Sequence, residues 1–350
     1  MSAADGGRRP GRLGVGVVGA GRVGAVLGSA LRAVGHAVVG ASGVSDASRD
    51  RIETLLAGVP VLEVPQVVER AELVLLAVPD DALPALVRGL AETGAWQPGQ
   101  IVVHTSGRYG TAVLDPARAA GAIPLALHPA MTFTGTSLDL ARLEGTTFAV
   151  TAPGPVLPIG QALVVELGGE PVVVAEESRG LYHAALAHGA NHLVVLVAQA
   201  AQALEAAGVD QPGRALAPLL AAALDGATRG ADAGAESGTG AGAGALLGLT
   251  GPVARGDVGT VREHLAALDA LAATSDAADV PPSYRALSRA ATHRALAGGR
   301  LGEQAARELL DALDAAPLDA RDPHDPQDRY DPQDPHDPHD PQDPHDEGRA

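Results

Sequence analysis

Six residues constrain this chain more than any others: Gly19-Ala20-Gly21-Arg22-Val23-Gly24, set between an apolar run and an amphipathic stretch. Residues 13–18 (LGVGVV) read as a short buried strand, and the stretch after the glycines reads as a helix to about residue 35. A G-x-G-x-x-G pattern alone says little, because glycine-rich turns are common. Between a strand and a helix, inside a βαβ unit, it is the fingerprint of a dinucleotide-binding turn. Gly19 permits the tight turn, Gly21 lets a pyrophosphate approach the helix N-terminus, and Gly24 lets the helix pack close to the strand. Ala20, Arg22 and Val23 complete the same cofactor-binding turn. A tight turn with no ligand is the competing reading.

The pattern continues as the turn requires. Residues 36–41 read as a strand, 45–57 as a helix, and 59–64 as a short strand whose pairing Pro60 limits. Residues 71–78 (AELVLLAV) form the unbroken apolar run of a parallel strand covered on both faces. It ends at Pro79-Asp80-Asp81, which starts a helix to about residue 90. Strands follow at 101–104 and 123–127, then a small β/α annex with strands at 147–151 and 171–174 around a helix at 157–167. Alternation of this kind predicts an α/β fold, a Rossmann-like doubly wound, mostly parallel sheet. Beyond residue 176 only helices are predicted, at 176–208, 213–229, 257–273, 282–297 and 302–315, with the Gly/Ala-rich residues 230–244 as a loop. The organisation expected is a flexible leader (1–12), a Rossmann-like NAD(P)-binding domain with its annex (13–175), a helical substrate and dimerisation domain (176–318) and a tail (319–350). In the tail, Asp-Pro-His and Asp-Pro-Gln recur every three residues. Proline at that spacing denies helix and sheet, and the acidic charge keeps the segment solvated and disordered.

Composition removes several function classes. The net charge of −17 repels phosphate backbones, which argues against nucleic acid as a partner. No unbroken apolar run approaches the length of a membrane span, and the basic leader lacks the apolar core of a signal peptide, so a cytoplasmic location is expected. The chain has no cysteine, which excludes disulfides and thiol chemistry. All 25 basic residues are arginine, so no mechanism can call on a lysine amine.

Cofactor choice depends on the end of the second strand, where an acid would hold the ribose of NAD(H). This chain has Ala41-Ser42-Gly43-Val44-Ser45, with no carboxylate until Asp46. Ser42 and Ser45, with Arg49 nearby, suit the 2′-phosphate of NADP(H) better than NAD(H), although Ser45 could simply cap the next helix. Three polar clusters follow strand ends: Val78-Pro79-Asp80, His104-Thr105-Ser106-Gly107 and His128-Pro129. Turn chemistry explains each alone; together at one sheet edge they mark a site. Val78, Pro79, Asp80 and His104 are expected along the cofactor, and Ser106 and His128 at the substrate. On the long helix, taking His183 as zero, Asn191, His188 and His192 fall near about 80°, 140° and 180° at ~100° per residue. They make a polar stripe that reads either as a solvated face or as catalytic groups, while Tyr182, Leu186, Ala190, Leu193 and Val197 fall on the other, apolar side. His188 and His192 have metal-ligand spacing, but no acid stands between them as in a zinc-protease motif, so no metal is assigned. Arg255, after the rigid Leu249-Thr250-Gly251-Pro252 loop, could bind a substrate carboxylate bidentately or form a surface ion pair. Asp257 is placed to cap the helix that follows.

The stretches GAGRVG, AVPDDAL, VHTSG, LHPAMTF, YHAALAHGANHL and LTGPVARGD together resemble a family of candidate oxidoreductases that pairs a Rossmann-like domain with a C-terminal domain of unknown function. The resemblance runs from about residue 13 to 297. It extends to the 6-phosphogluconate-dehydrogenase-like superfamily, which includes ketopantoate reductase, prephenate dehydrogenase, pyrroline-5-carboxylate reductase and the deazaflavin-dependent NADP reductases. It implies an all-α C-terminal domain of the 6-phosphogluconate-dehydrogenase type, a cofactor cleft between domains, and a homodimer built on the long helix. Relatives use a catalytic lysine beside an asparagine; Asn191 matches the latter, and His183 or His188 must replace the former as proton donor. The reading is an NADP(H)-dependent oxidoreductase acting on a small carbonyl or hydroxy compound bearing a carboxylate. The alternatives are an NADP(H) sensor without chemistry and a deazaflavin-dependent NADP reductase.

Overall fold

A computed structural model describes residues 12–315. The repeat tail and all of the leader except Arg12 lie outside the described residues. The first half of the chain forms one seven-stranded sheet, built from β1 (Gly14–Val18), β2 (Ala37–Ser42), β3 (Leu73–Leu76), β4 (Ile101–His104), β5 (Ile123–Pro129), β6 (Thr147–Thr151) and β7 (Glu170–Val173). Their order across the sheet is β2-β1-β3-β4-β5-β6-β7. Every pairing is parallel except that of β5 with β6. The expected annex is therefore the far edge of the same sheet.

Around the sheet run α1 (Arg22–Ala33), α2 (Asp46–Leu55), α3 (Val64–Arg70), α4 (Leu83–Glu92), α5 (Asp115–Ala119), α6 (Leu138–Arg142) and α7 (Leu157–Glu166). Alternate strand residues face opposite sides of a sheet, and both sides are covered here. Val15, Val17, Leu73 and Leu75 pack with Leu27 and Phe148 on one face. Val18, Val74 and Leu76 pack with Val67, Val87 and Trp96 on the other. The expected strand at 59–64 is reduced to a single bridge between Ala41 and Val61. Pro60 has no N–H for a ladder, and the Glu63–Gln66 capping box with a proline in the first turn starts α3 instead.

The chain divides into two compact units, Met1–Leu193 and Val194–Ala350. The division falls inside α8 (Arg179–Ala206) rather than at residue 175, because side chains on the first turns of α8 bond to the sheet. The second unit holds α9 (Pro212–Glu236), α10 (Ala241–Ala245), α11 (Pro252–Arg255), α12 (Val258–Thr274), α13 (Val280–Ala297) and α14 (Glu303–Asp314). Its core is Val261, Leu265, Ala295, Leu309 and Leu313. The Gly/Ala stretch expected to be a loop is mostly helix. A Cβ on Gly234 would lie 2.6 Å from the Gly240 carbonyl oxygen, so the glycines let the α9–α10 hairpin close backbone to backbone.

Among the described residues one helix, Glu176–Ala206, is long and apolar enough by length and composition to cross a membrane, and little of it is buried. This corrects the expectation from unbroken runs: the apolar residues are interrupted by Tyr182, His183, His188, Asn191, His192, Gln199 and Gln202, so no single run stands out while the average is high.

Candidate active site

The parallel strands end along one edge, and β1 lies where the chain direction across the sheet reverses, between β2 and β3. Ligands of such sheets bind outside the carboxyl ends at this switch point. The glycine turn occupies it. Gly19 has φ of 86°, a conformation open to glycine, and a Cβ there would sit 2.7 Å from the Ala77 carbonyl oxygen and 2.9 Å from the Val78 side chain. A Cβ on Gly24 would collide with the Gly19 carbonyl oxygen. Gly21 is different: its Cβ would meet nothing within 4 Å. Gly21 caps α1 without any side-chain bond, and the first-turn N–H groups of Arg22, Val23 and Gly24 have no acceptor among the described residues. The turn thus offers free donors and a bare face at the positive end of a helix, which fits an anionic pyrophosphate.

The two serines expected at a 2′-phosphate have other tasks. Ser42 is buried; its hydroxyl accepts from the Gly19 N–H at 3.3 Å and its carbonyl from the Ala20 N–H at 2.8 Å, so it holds the glycine turn. Ser45 caps α2 by accepting from the Ser48 N–H at 3.2 Å. Arg49 pairs with Asp46 at 3.2 Å. Arg51 reaches the side chain of Arg22, which belongs to the turn itself. A Cβ on Gly135 would be 2.7 Å from Arg51 Nε and 2.9 Å from Arg22 Cγ, so the two side chains meet over the same loop.

At the ends of β4 and β5 the side chains interlock. His104 is fully buried; its Nδ1 accepts from the Ser106 N–H at 3.2 Å and its Nε2 donates to the Gly110 carbonyl at 2.8 Å. Burial lowers its pKa to about 4, helped by the positive charge of Arg179 and opposed by the bond to Gly110. With both nitrogens committed to the backbone, His104 shapes the loop at residues 105–110 and does not present its ring to a cofactor. Ser106 accepts at its hydroxyl from the Arg108 and Tyr109 N–H groups, both at 3.3 Å, which makes it a turn residue first. Gly107 has no side chain for a local reason: a Cβ would be 2.7 Å from the His183 ring and 2.9 Å from His128 Nε2.

Two residues the sequence reading passed over organise this edge. Arg179, only 1% exposed, has no carboxylate partner among the described residues. It donates to Thr151 Oγ1 at 2.8 Å and to the carbonyl oxygens of Ser106, Ala126 and Ala149 at 3.3, 2.9 and 3.1 Å. One fork therefore ties β5, β6 and the loop after β4 to the first turn of α8. Tyr182, assigned by periodicity to an apolar face, places its hydroxyl 3.0 Å from His128 Nδ1. Burial pushes the Tyr182 phenol up, with Arg179 pulling the other way. His128 is lowered to about 4, by burial first and then by Arg179 and His183. The edge thus carries a neutral imidazole, a protonated phenol, and the half-buried His183 with its ring 6.1 Å from His128. The signal that could have found Arg179 is an arginine at the start of an otherwise apolar helix, where a surface charge is not needed.

Farther along α8, His188, Asn191 and His192 are exposed, and His188 and His192 share an Nδ1–Nδ1 hydrogen bond of 2.9 Å. Among the described residues no cluster of three metal-ligating side chains occurs. Val78 and Asp80 lie half-buried after β3, and Pro79 is exposed there. In the second unit Arg255 is exposed at the end of α11 and makes no ion pair among the described residues. Asp257 caps α12, accepting from the Thr260 N–H at 3.1 Å.

Comparison with known proteins follows the same two parts. Residues 1–129 match the family model of a Rossmann-like domain, and residues 146–291 match that of the Domain of unknown function (DUF2520). No curated protein matches the chain. Among solved structures, a candidate NADP oxidoreductase from Bacteroides fragilis is 20% identical, with TM-score 0.60 over 80% of this chain and 98% of the other. A protein from Thermotoga maritima is 20% identical, with TM-score 0.56 over 81% and 98%. An imine reductase from a Pseudomonas species is 18% identical, with TM-score 0.56 over 86% and 99%. At such identities the likeness is one of fold.

Proposed function

We propose that this chain, which belongs to the family pairing a Rossmann-like domain with the DUF2520 domain, is an NADP(H)-dependent oxidoreductase acting on a small carbonyl or hydroxy compound. The observation that carries the reading is the bare face of Gly21 beside three free N–H groups, in a turn whose other two glycines are packed tight. Residues 19–24 would hold the pyrophosphate, with Val78, Pro79 and Asp80 along the cofactor. Preference for NADP(H) over NAD(H) rests on Arg22 at the start of α1 and Arg51 in α2, with Arg49 near, and on the pairing of Asp46, the first acid after β2, with Arg49. Nicotinamide, when present, supplies or takes up the hydride.

The chain's own part is the proton and the fit. His183 is the proton donor or acceptor we favour, because it is half-buried against His128 and Gly107. His188 is the alternative, and Asn191 would orient the carbonyl. His128 and Ser106 bound the substrate side, and a carboxylate on the substrate would find its counter-charge in Arg255. The exposed residues Leu181, Val194 and Val195 of α8 call for a cover, and we assign it to a second copy in a homodimer rather than to a membrane, since His183, His188, Asn191 and His192 would be costly in lipid. A cytoplasmic location goes with this assignment.

Gly21→Val tests the reading. The site has room for the side chain, so thermal stability should hold while NADPH affinity in calorimetry falls by more than about tenfold, roughly 1.4 kcal/mol. NADPH binding unchanged in the variant, or tighter NADH than NADPH binding in the wild type, would count against the turn or the cofactor preference respectively. A panel of keto and hydroxy acids assayed for NADPH oxidation then separates an enzyme from a sensor.

A further inference from the structure

The second unit carries a groove that the reading above does not use. It encloses about 530 Å3 between the end of α8, α11, α12 and α13, within the ~300–1,000 Å3 of small-molecule sites. Ala200, Val253, Leu268, Val280 and Ala291 make it apolar, and no Arg, Asp or Glu lines it. Three polar side chains in its wall have hydrogen-bonding capacity to spare. Gln199 is buried, and its Nε2 donates to Asp279 Oδ2 at 2.7 Å and Ser283 Oγ at 2.9 Å. An ionised carboxylate only accepts, so the amide orientation is fixed; Oε1 lies on its other side and takes no donor among the described residues. His264 Nδ1 and the Tyr284 hydroxyl are 2.9 Å apart, with rings edge-on at 5.9 Å. The Nε2 of His264 has no partner among the described residues.

We propose that this groove binds a small neutral organic molecule with an apolar ring body and an N–H or O–H group, the donor on Gln199 Oε1 and the polar end against the His264–Tyr284 pair. A carboxylate or phosphate would lose its water there and meet no counter-charge. His264 is exposed at the rim, but an apolar helix from a second copy would cover the aliphatic wall and leave the buried Gln199 without a partner at Oε1, which is costly. A polar-tipped small molecule satisfies both parts of the wall. The site does not depend on the oxidoreductase reading.

The test uses the full chain and two fluorescent probes with the same body. N-phenyl-1-naphthylamine is neutral and carries one N–H; 8-anilinonaphthalene-1-sulfonate adds an anionic group. The neutral probe should bind saturably at one per chain, with the sulfonate at least about tenfold weaker. Ala200→Phe and Ala291→Phe, which fill the groove from opposite walls, should each weaken the neutral probe by about tenfold or more. Leu219→Ser, an exposed leucine outside the lining, should change nothing, and NADPH should not displace the probe. Equal affinity for the sulfonate, or undiminished binding in whichever filling variant folds, overturns the proposal. So does probe binding that appears only when a dimer is diluted apart, because a second copy would then be the occupant.

Discussion

Acid should unfasten the loop after β4 through one side chain. His104 has no exposed surface and accepts at Nδ1 from the Ser106 N–H; a proton on Nδ1 would set two donors face to face. Burial, with Arg179 nearby, lowers its pKa from 6.5 to about 4. A histidine depressed in the folded state contributes stability in full above about pH 6.5 and loses it as pH falls toward 4, because the unfolded chain takes the proton more readily. The complete loss is about 3 kcal/mol, and about 2 kcal/mol of it is already gone at pH 5. Trp96, buried in the first unit and the only tryptophan, reports unfolding by fluorescence. Urea titrations at about pH 7.5 and about pH 5 should show wild-type stability falling by roughly 2 kcal/mol more than that of His104→Gln. Comparing the two proteins cancels the other titrating groups. If the variant loses as much stability as the wild type, or if the His104 ring protonates with a midpoint near 6.5 by NMR, the assignment of both ring nitrogens is wrong.

Other outcomes follow from the same edge of the sheet. Arg179→Met should destabilise the first unit by about 2–4 kcal/mol, since a buried hydroxyl and three carbonyls lose a donor, and Arg179→Lys should not restore it because an ammonium lacks the fork; a Tm within error of wild type would refute the staple. Gly107→Ala should cost about 1–3 kcal/mol by overpacking His128 and His183, and unshifted imidazole resonances would show that the loop has more room than described. Phe148→Ala, which empties the core contact of a β6 residue, should cost about 3–5 kcal/mol in urea unfolding. Once a substrate is found, replacing His183 and His188 together with alanine should abolish turnover while calorimetric NADPH binding persists; full activity would remove histidine from the proton step.

The fold was legible where one signal dominated. The strand–glycine–helix junction and the apolar run around Leu73–Leu76 could be read because buried parallel strands have few alternatives. Residues 59–64 misled because β-branched content outweighed Pro60, which cannot donate to a ladder, and Pro65 just beyond, which favours a helix start. The Gly/Ala hairpin looked like a loop because composition records flexibility but not a partner backbone that needs the missing side chains. At the site, strand-end clusters were visible as clusters, yet which member faces outward was not. His104 and Ser42 turned inward to hold backbone, and Tyr182, read from helical periodicity as apolar, supplies a hydroxyl to His128. Arg179 stood out only as a charge opening an apolar helix, and its role stayed hidden because most of its partners are carbonyl oxygens, which every residue has.

That arginine has a consequence for how the edge comes apart. Its grip is made on peptide oxygens, so nothing in the joint gains or loses a proton across the range in which carboxylates and imidazoles titrate. Acid therefore frees the loop after β4 from His104 while Arg179 still holds it by the Ser106 carbonyl and keeps the helix that bears Tyr182 and His183 on the sheet. Over that range of pH the loop hangs from the bond that does not titrate.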